Sequence, residues 1–433
     1  MIRSTIIAEV RGRRVWDSRA RPTVEAEVVL AGGARGRAIA PAGASRGAGE
    51  AVELRDGGPR LSGLDVRHAV ASIEGPIRQA LLGMDAELLE GVDRRLLEID
   101  GTPDLARLGG NATVAVSMAV AHAAAAAAGM PLWQWLATLA GTEPLLPLPE
   151  IQIFGGGAHA GRRVDIQDFL VVCPNAGDLA EALDRTAAVY HAAGELLAKL
   201  GRLYGVADEG GFWPAFGRNE EGLELLVRAI EAAGFVPGED VAICLDIAAS
   251  EWGRKGRYRL ACDGRELDSD GLAELLLQWV ARYPIVSLED PFAEDDPAAF
   301  ARLRAALPRP VQIVGDDLLV TDAARVQAAA RRGACTTVLL KPNQRGTLSG
   351  TLAAWQAARE AGLGGIASAR SGESEDVTIC HLAVGWGIPQ IKVGAMARGE
   401  RTAKWNELLR LAERRPHLPF AGDRGLQLRS VSR

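Results

Sequence analysis

Six apolar runs in the second half of this chain end on a charge. "AICLD" ends in Asp246, "IVSLED" in Glu289 and Asp290, and "QIVGDD" in Asp316 and Asp317. "VLLK" ends in Lys341, "IASAR" in Arg370 and "QIK" in Lys392. From Asp246 through Glu289, Asp316, Lys341 and Arg370 to Lys392 the steps are 43, 27, 25, 29 and 22 residues. The shorter steps suit one strand and one helix each, and the first leaves room for a longer connection. Repeated strand–helix units bring the carboxyl ends of their strands to one rim, where barrel enzymes keep their chemistry.

Three acids from adjacent strands, Asp246, Glu289 and Asp316, repel one another, and burial makes that worse. A divalent cation relieves both costs. With no Cys or His in the trio, oxygen-loving Mg²⁺ is favoured over Zn²⁺. Asp316 is taken as the third acid, with Asp317 as the alternative, since neighbours on a strand point to opposite faces and only one of the two can join the trio. Lys341 and Lys392 end apolar runs. Such a lysine either snorkels to water or, desolvated beside the acids, loses proton affinity and becomes available as a base. "VADEGGFWPAF" adds Asp208 and Glu209 on a loop where Gly210 and Gly211 allow close backbone approach. "GGGAHAGRR" is a flexible loop holding His159. Together these residues suggest that a lysine removes a proton α to a metal-held carboxylate and an acid opposite helps a β-hydroxyl leave. Arg370, Ser371 and Lys392 would hold an anionic group, for which the arginine fork is suited.

Elements that could position these residues are legible in the same sequence. The chain has 433 residues, 48% hydrophobic and 5% aromatic, which suits two domains with helices packed closely on sheets. "TIIAEVRGRRVWDS" and "TVEAEVVLAGGARGRAIAP" alternate apolar and polar residues, as antiparallel strands with one wet face do. Helical periodicity follows from about Leu64 to Gly129, and Pro144, Pro147 and Pro149 punctuate a boundary. The expected division is an α+β capping domain over 1–140 and a β/α barrel over 141–433. "DPAAFARLRAALP" reads as a helix with Asp296 as N-cap and Pro297 at its first turn. Because the later strands are apolar throughout, a parallel (β/α)8 barrel is expected, with an open doubly wound sheet as the rival. No GxGxxG follows a first strand, which disfavours dinucleotide binding.

A net charge of −6 with no basic stripe gives no reason to expect a nucleic-acid partner. "MAVAHAAAAAAG" is short, Ala-rich and carries His122, so a buried helix rather than a membrane span is expected. The opening residues lack a secretory apolar core. Five scattered cysteines with no CxxC pair read as reduced thiols, and a cytoplasmic location is expected.

With these motifs in order, the sequence resembles the enolase family over essentially its whole length. "DSRARPTVEAEV" is similar to the family's DSRGNPTVE opening, and "APAGASRGAGEAVELRDG" to its mobile loop. "VDIQDF", "DEGG", "LDIAASE", "SLEDP", "VGDD", "LLKPNQRGTL", "RSGESED" and "QIKVG" follow in family order. The resemblance implies a small α+β domain capping a modified barrel, Mg²⁺ held by Asp246, Glu289 and Asp316, and a homodimer or larger homo-oligomer. It further implies Lys341 as the base that takes the C2 proton of 2-phosphoglycerate and Glu209 as the acid. Asp168 falls at a catalytic glutamate's place, and His159, Gln167, Arg370, Ser371 and Lys392 would contact substrate.

Four departures stand out. Ala369 replaces the histidine of SHRSGE, and Asp168 sets its carboxylate one methylene back. Ala42 stands where a loop serine helps hold a second Mg²⁺, which leaves a backbone carbonyl for that task. Arg162 and Arg163 add two positive charges where the family loop is polar or acidic; they are expected to replace charge lost with the histidine or the second metal. Enolisation is retained in this reading. The alternative is a paralogue with the same enolate chemistry on another phospho- or phosphono-carboxylic acid.

Overall fold

The computed structural model describes residues 4–44 and 47–428. Among the described residues, three strands form an antiparallel meander in the order β1 (Ile7–Trp16), β2 (Pro22–Leu30), β3 (Arg35–Ile39). The expected wet face of β2 is covered. Glu25 and Glu27 both sit 2.5 Å from the guanidinium of Arg13 on β1, so an ionic ladder lies where water was expected. The other face packs against the helix Gly110–Ala128. This helix is apolar and long enough to cross a membrane, yet it is mostly buried inside the protein. Its alanines permit close approach. At Gly36 on β3 a Cβ would stand 2.0 Å from the carbonyl oxygen of Ala119, so any side chain there would push helix and sheet apart.

The second part is a closed barrel in the order β4 (Leu148–Gly155), β5 (Asp168–Val172), β6 (Ala242–Asp246), then the strands after an outlying meander. That meander is β7 (Gly253–Arg254), β8 (Arg257–Leu260) and β9 (Arg265–Asp268), and it accounts for the long step between Asp246 and Glu289. The barrel continues with β10 (Ile285–Glu289), β11 (Gln312–Gly315), β12 (Thr337–Leu340), β13 (Gly364–Ser368) and β14 (Gln390–Gly394). Every residue of these eight barrel strands is buried. Helices such as Ser269–Arg282, Pro297–Ala306 and Leu348–Glu360 cover their outer faces.

In one respect the barrel departs from the parallel arrangement expected. β5 runs antiparallel to both β4 and β6. The first residue of β5 therefore lies on the rim where the other strands end, and Asp168 pairs directly with Asp246. Two helices, Leu179–Lys199 and Glu220–Ala232, follow β5 before β6 begins, and the loop between them carries Glu209. Asp296 precedes its helix as expected, but its carboxylate accepts from Tyr258 Oη at 3.0 Å and Ser269 Oγ at 2.5 Å and does not cap the helix.

The smaller domain docks on this rim. Ser18 N donates to Glu373 O at 2.8 Å, Ile39 N to Asp376 Oδ2 at 2.8 Å, and Arg398 Nη2 to Ser18 O at 2.6 Å. Its loop around Ala42 is thereby laid against the strand ends.

Candidate active site

Asp246 and Glu289 are the last residues of β6 and β10, and Asp316 and Lys341 immediately follow β11 and β12. Lys392 lies within β14, and Arg370 follows β13 by two residues. A small cleft opens among them, lined by His159, Gln167, Asp168, Glu209, Asp246, Lys341, Ser368, Ala369, Arg370, Ser371 and Lys392. Of the expected residues only Glu289 and Asp316 are absent from this lining. Each is linked to it, through Lys392 and Lys341 respectively.

The acids are divided between two lysines. Lys392 Nζ lies 2.7 Å from Asp246 Oδ2, 2.8 Å from Glu289 Oε2 and 3.7 Å from Asp168 Oδ2. It was expected to hold an anion, but here it sits among acids. Lys341 Nζ pairs with Asp316 Oδ2, while Gln344 Nε2 donates to the other oxygen at 2.8 Å. Both ammonium groups are buried, yet their proton affinity rises. Burial disfavours the charged form of each, but the carboxylates outweigh it: Asp316 foremost at Lys341, Asp246 and Glu289 at Lys392. The sequence left a snorkelling and a desolvated lysine as alternatives. Both heads are buried, but in the ligand-free chain the neighbouring acids outweigh desolvation.

Glu289 shows the cost of this crowding. Burial, and next the charge of Asp246, push its carboxyl well above the usual carboxylate range. Its Oε1 is buried and finds no hydrogen-bond partner among the described residues. Burial also works against Asp246, but Lys392 beside it holds it below its ordinary value. An all-oxygen donor set with a buried unpaired oxygen and mutual repulsion fits a hard divalent cation. Among the described residues, the groups whose ligand atoms all lie within 4.8 Å of one another are His159, Asp168 and Glu209, and Asp290, Asp316 and Asp317; the Asp246–Glu289–Asp316 trio, drawn to two lysines, is not one of them. In the second group both oxygens of Asp290 already accept backbone N–H groups, of Asp316 at 2.9 Å and Asp317 at 2.7 Å.

A second cation does not fit at Ala42. The side chain has no oxygen. The carbonyl accepts from Gly372 N at 2.9 Å and from the Arg19 guanidinium at 2.9 Å, so it is already shared by two donors, one of them cationic.

The opposite wall is made by loops. His159 Nδ1 stands 3.4 Å from Glu209 Oε1 and 3.8 Å from Asp168 Oδ1, and its Nε2 is 3.3 Å from Ser371 Oγ. Burial pushes the Asp168 carboxyl up to about 6, against the pull of His159. Burial would raise Glu209 too, but His159, Arg401 and the two lysines bring it below its ordinary value. Gln167 Nε2 donates to Asp246 Oδ2 at 3.0 Å. Its Oε1 is buried without a partner among the described residues.

Several supporting residues were not singled out from the sequence. Gln152 on β4 donates to Asp168 and accepts Gly211 N at 2.7 Å, so it ties the shortened carboxylate to the Glu209 loop. A glutamine inside an apolar strand was the available signal. Glu50, from the loop of the smaller domain, holds Arg370 at 3.0 and 3.3 Å and accepts from Gln344 at 3.2 Å. Asn343 accepts from Arg370 at 3.1 Å. Arg401 is fully buried and donates to the carbonyls of Arg370, Ser371 and Val393 at 2.7, 2.5 and 2.8 Å. It sits on a polar helix, Gly399–Arg414, where nothing in the sequence marks it.

The departures from the family pattern resolve unequally. Ala369 puts a methyl group on the cavity wall, and its N–H donates to Lys392 O at 2.9 Å. Arg162 and Arg163 do not replace charge in the cavity. Arg162 Nη2 pairs with Glu251 at 2.9 Å, and the Arg163 guanidinium lies over two aromatic rings outside the site. The reason is geometric: the turn that buries His159 sends the next two long side chains outward.

Comparison with known families accounts for nearly the whole chain. Residues 7–136 match the family model for the enolase N-terminal domain. Residues 143–424 match that for the enolase C-terminal TIM barrel domain.

Proposed function

The chain belongs to the enolase family, and from this lyase-type membership we propose that it interconverts 2-phosphoglycerate and phosphoenolpyruvate. One observation carries the reading. A lysine, Lys341, and a carboxylate pair, Asp168 and Glu209, line one buried cavity together with Arg370 and Ser371. Base, acid and anion-holding groups thus surround a space where a small phosphorylated acid can sit.

Asp246, Glu289 and Asp316 would hold Mg²⁺, as enolase-family proteins generally do; its charge would offset these acids and stabilise negative charge on the substrate carboxylate. Lys341 would take the C2 proton. In the ligand-free chain Asp316 favours the charged form of this lysine. Across the cavity Asp168, His159 and Glu209 share the acid's task. Asp168, pushed up to about 6, is the member that holds a proton; Glu209, ionised in the ligand-free chain, would take it by way of His159 and pass it to the leaving C3 hydroxyl. Arg370 and Ser371 would orient the anionic group. The proposal extends to a cytoplasmic enzyme of glycolysis acting as a homodimer, a reading supported by the family resemblance.

Incubation with 2-phosphoglycerate and Mg²⁺ should yield phosphoenolpyruvate, and Lys341→Ala should not. No product from the folded wild-type chain would end this reading. A second reading is favoured by Ala369: the same enolate chemistry on a different phospho- or phosphono-carboxylic acid, one that needs no imidazole at that wall. Restoring the histidine by Ala369→His separates the two. A gain in kcat/KM for 2-phosphoglycerate supports the second reading, and a loss supports the first.

A further inference from the structure

The loop that carries His159 is held by backbone bonds, Gly156 N to Gln167 O at 2.7 Å and Gly157 N to Val164 O at 2.9 Å among them, and has few side chains to add to them. Across residues 155–163 the only side chains larger than a methyl are those of His159, Arg162 and Arg163. Its turn closes by Arg162 N donating to Gly157 O at 2.8 Å, with Gly161 and Arg162 both at positive φ, 62° and 57°. Two backbone bonds, Asp208 N to His159 O at 3.2 Å and Gly155 N to Phe212 O at 2.8 Å, link it to the Glu209 loop, and neither involves a side chain. Yet the chemistry on this wall depends on His159 standing 3.4 Å from Glu209.

Arg163 adds a side-chain attachment, and its Nη1 lies 3.5 Å from Trp213 O. Its guanidinium carbon lies 5.2 Å from the ring centre of Tyr204 and 4.7 Å from that of Trp213. These two rings stand on either side of Glu209 in sequence. Their segment is closed on itself, since Trp213 N donates to Gly205 O at 3.3 Å and the indole packs over Gly205. A cation over two aromatic faces therefore joins the His159 loop to both ends of the Glu209 loop. Arg162, paired with Glu251 beyond β6, ties the same loop on its other side.

We propose that Arg163 is a positioning residue that clasps the His159 and Glu209 loops into one unit and so fixes the distance between those two side chains. The kinetic part of this inference rests on the reading in which His159 and Glu209 act together on substrate; the structural part does not.

Hydrogen–deuterium exchange on the free protein tests the clasp directly. Arg163→Gln removes the cation and keeps much of the length. Amides of residues 157–163 and 204–213 should then exchange faster together, by about five- to thirty-fold, the range expected for losing two cation–π contacts. The strand ends at Asp246 and Lys341 should not change. Arg163→Lys, which keeps a cation over the rings, should recover part of the protection. In turnover, Arg163→Gln should lower kcat more than it raises KM and should shift the limb of the pH profile set by the Asp168–His159–Glu209 group. Unaltered exchange in 204–213, or equal exchange in the Gln and Lys variants, would overturn the proposal. Because exchange needs no substrate, failure to turn over 2-phosphoglycerate counts against the assigned reaction and leaves this result standing.

Discussion

The cavity has two walls made in different ways. One is the carboxylate–lysine wall at the ends of β6, β10, β11, β12 and β14. There each charge stands on or next to a strand whose residues are all buried, and each lysine is paired with an acid. The other is the loop wall of His159, Asp168 and Glu209. Only Asp168 is on a strand there, and glycines flank the other two. The first wall is precise because the barrel cannot deform without losing packing. The second is equally buried but is held by a few side chains, Gln152 and Arg163 among them. In the proposed reaction, proton abstraction falls to the strand-end wall and the acid step to the loop wall.

Four variants would sharpen or break this contrast. The largest effect is expected at the strand-end wall. Lys341→Ala should reduce kcat by about 10²–10⁴-fold, the usual worth of a positioned base, with little change in KM. Next is the loss of Arg401, which joins the walls by fixing the turn at Arg370 and Ser371. Arg401→Leu strands three buried carbonyls and should lower unfolding free energy in urea by about 3–5 kcal/mol.

Asp168→Asn should do the opposite for stability while it impairs turnover. Burial raises this carboxyl from an ordinary 3.8 to about 6. The native state then binds a proton more readily than the unfolded one. The wild type is therefore relatively most stable below pH 4 and loses that stability as pH rises through 6. The variant should gain about 2–3 kcal/mol over wild type at pH 7.5 and little at pH 4, as read from denaturant midpoints at both pH values. Equal gains at both would show that the charge of Asp168 is not strained. The smallest effect is expected for Arg162→Ala. Its ion pair with Glu251 is exposed on the arginine side, so thermal denaturation should show a loss of less than about 1 kcal/mol, fading with added salt.

The same contrast explains what could be read from sequence. Charges at the ends of apolar runs are conspicuous, so Asp246, Glu289, Asp316, Lys341 and Lys392 and their common rim were legible, as was the barrel with its capping domain. The direction of β5 was not. Five buried residues in an apolar strand carry no mark of polarity, and only the pairing of Asp168 with Asp246 reveals it. The pairing of the lysines was not legible for a related reason. Desolvation can be argued from one residue's neighbours in sequence, whereas the ion pair of Lys341 with Asp316 spans 25 positions. Glu50 acts across 320 positions to Arg370, Gln152 across 59 to Gly211 and Arg401 across 31 to Arg370, and Arg401 lies on a helix whose polar residues look like solvent-facing ones. Arg162 and Arg163 were noticed, but their direction depended on a positive-φ turn that composition alone does not aim.

The central claim is that Lys341 takes the proton α to a substrate carboxylate inside this cavity. The most direct measurement is deuterium incorporation at C2 of 2-phosphoglycerate in deuterated water with Mg²⁺, followed by proton NMR for the wild type and Lys341→Ala. The account predicts exchange with the wild type and none above background with the variant. Equal exchange by Lys341→Ala, or no exchange and no phosphoenolpyruvate from the folded wild-type chain, would contradict it.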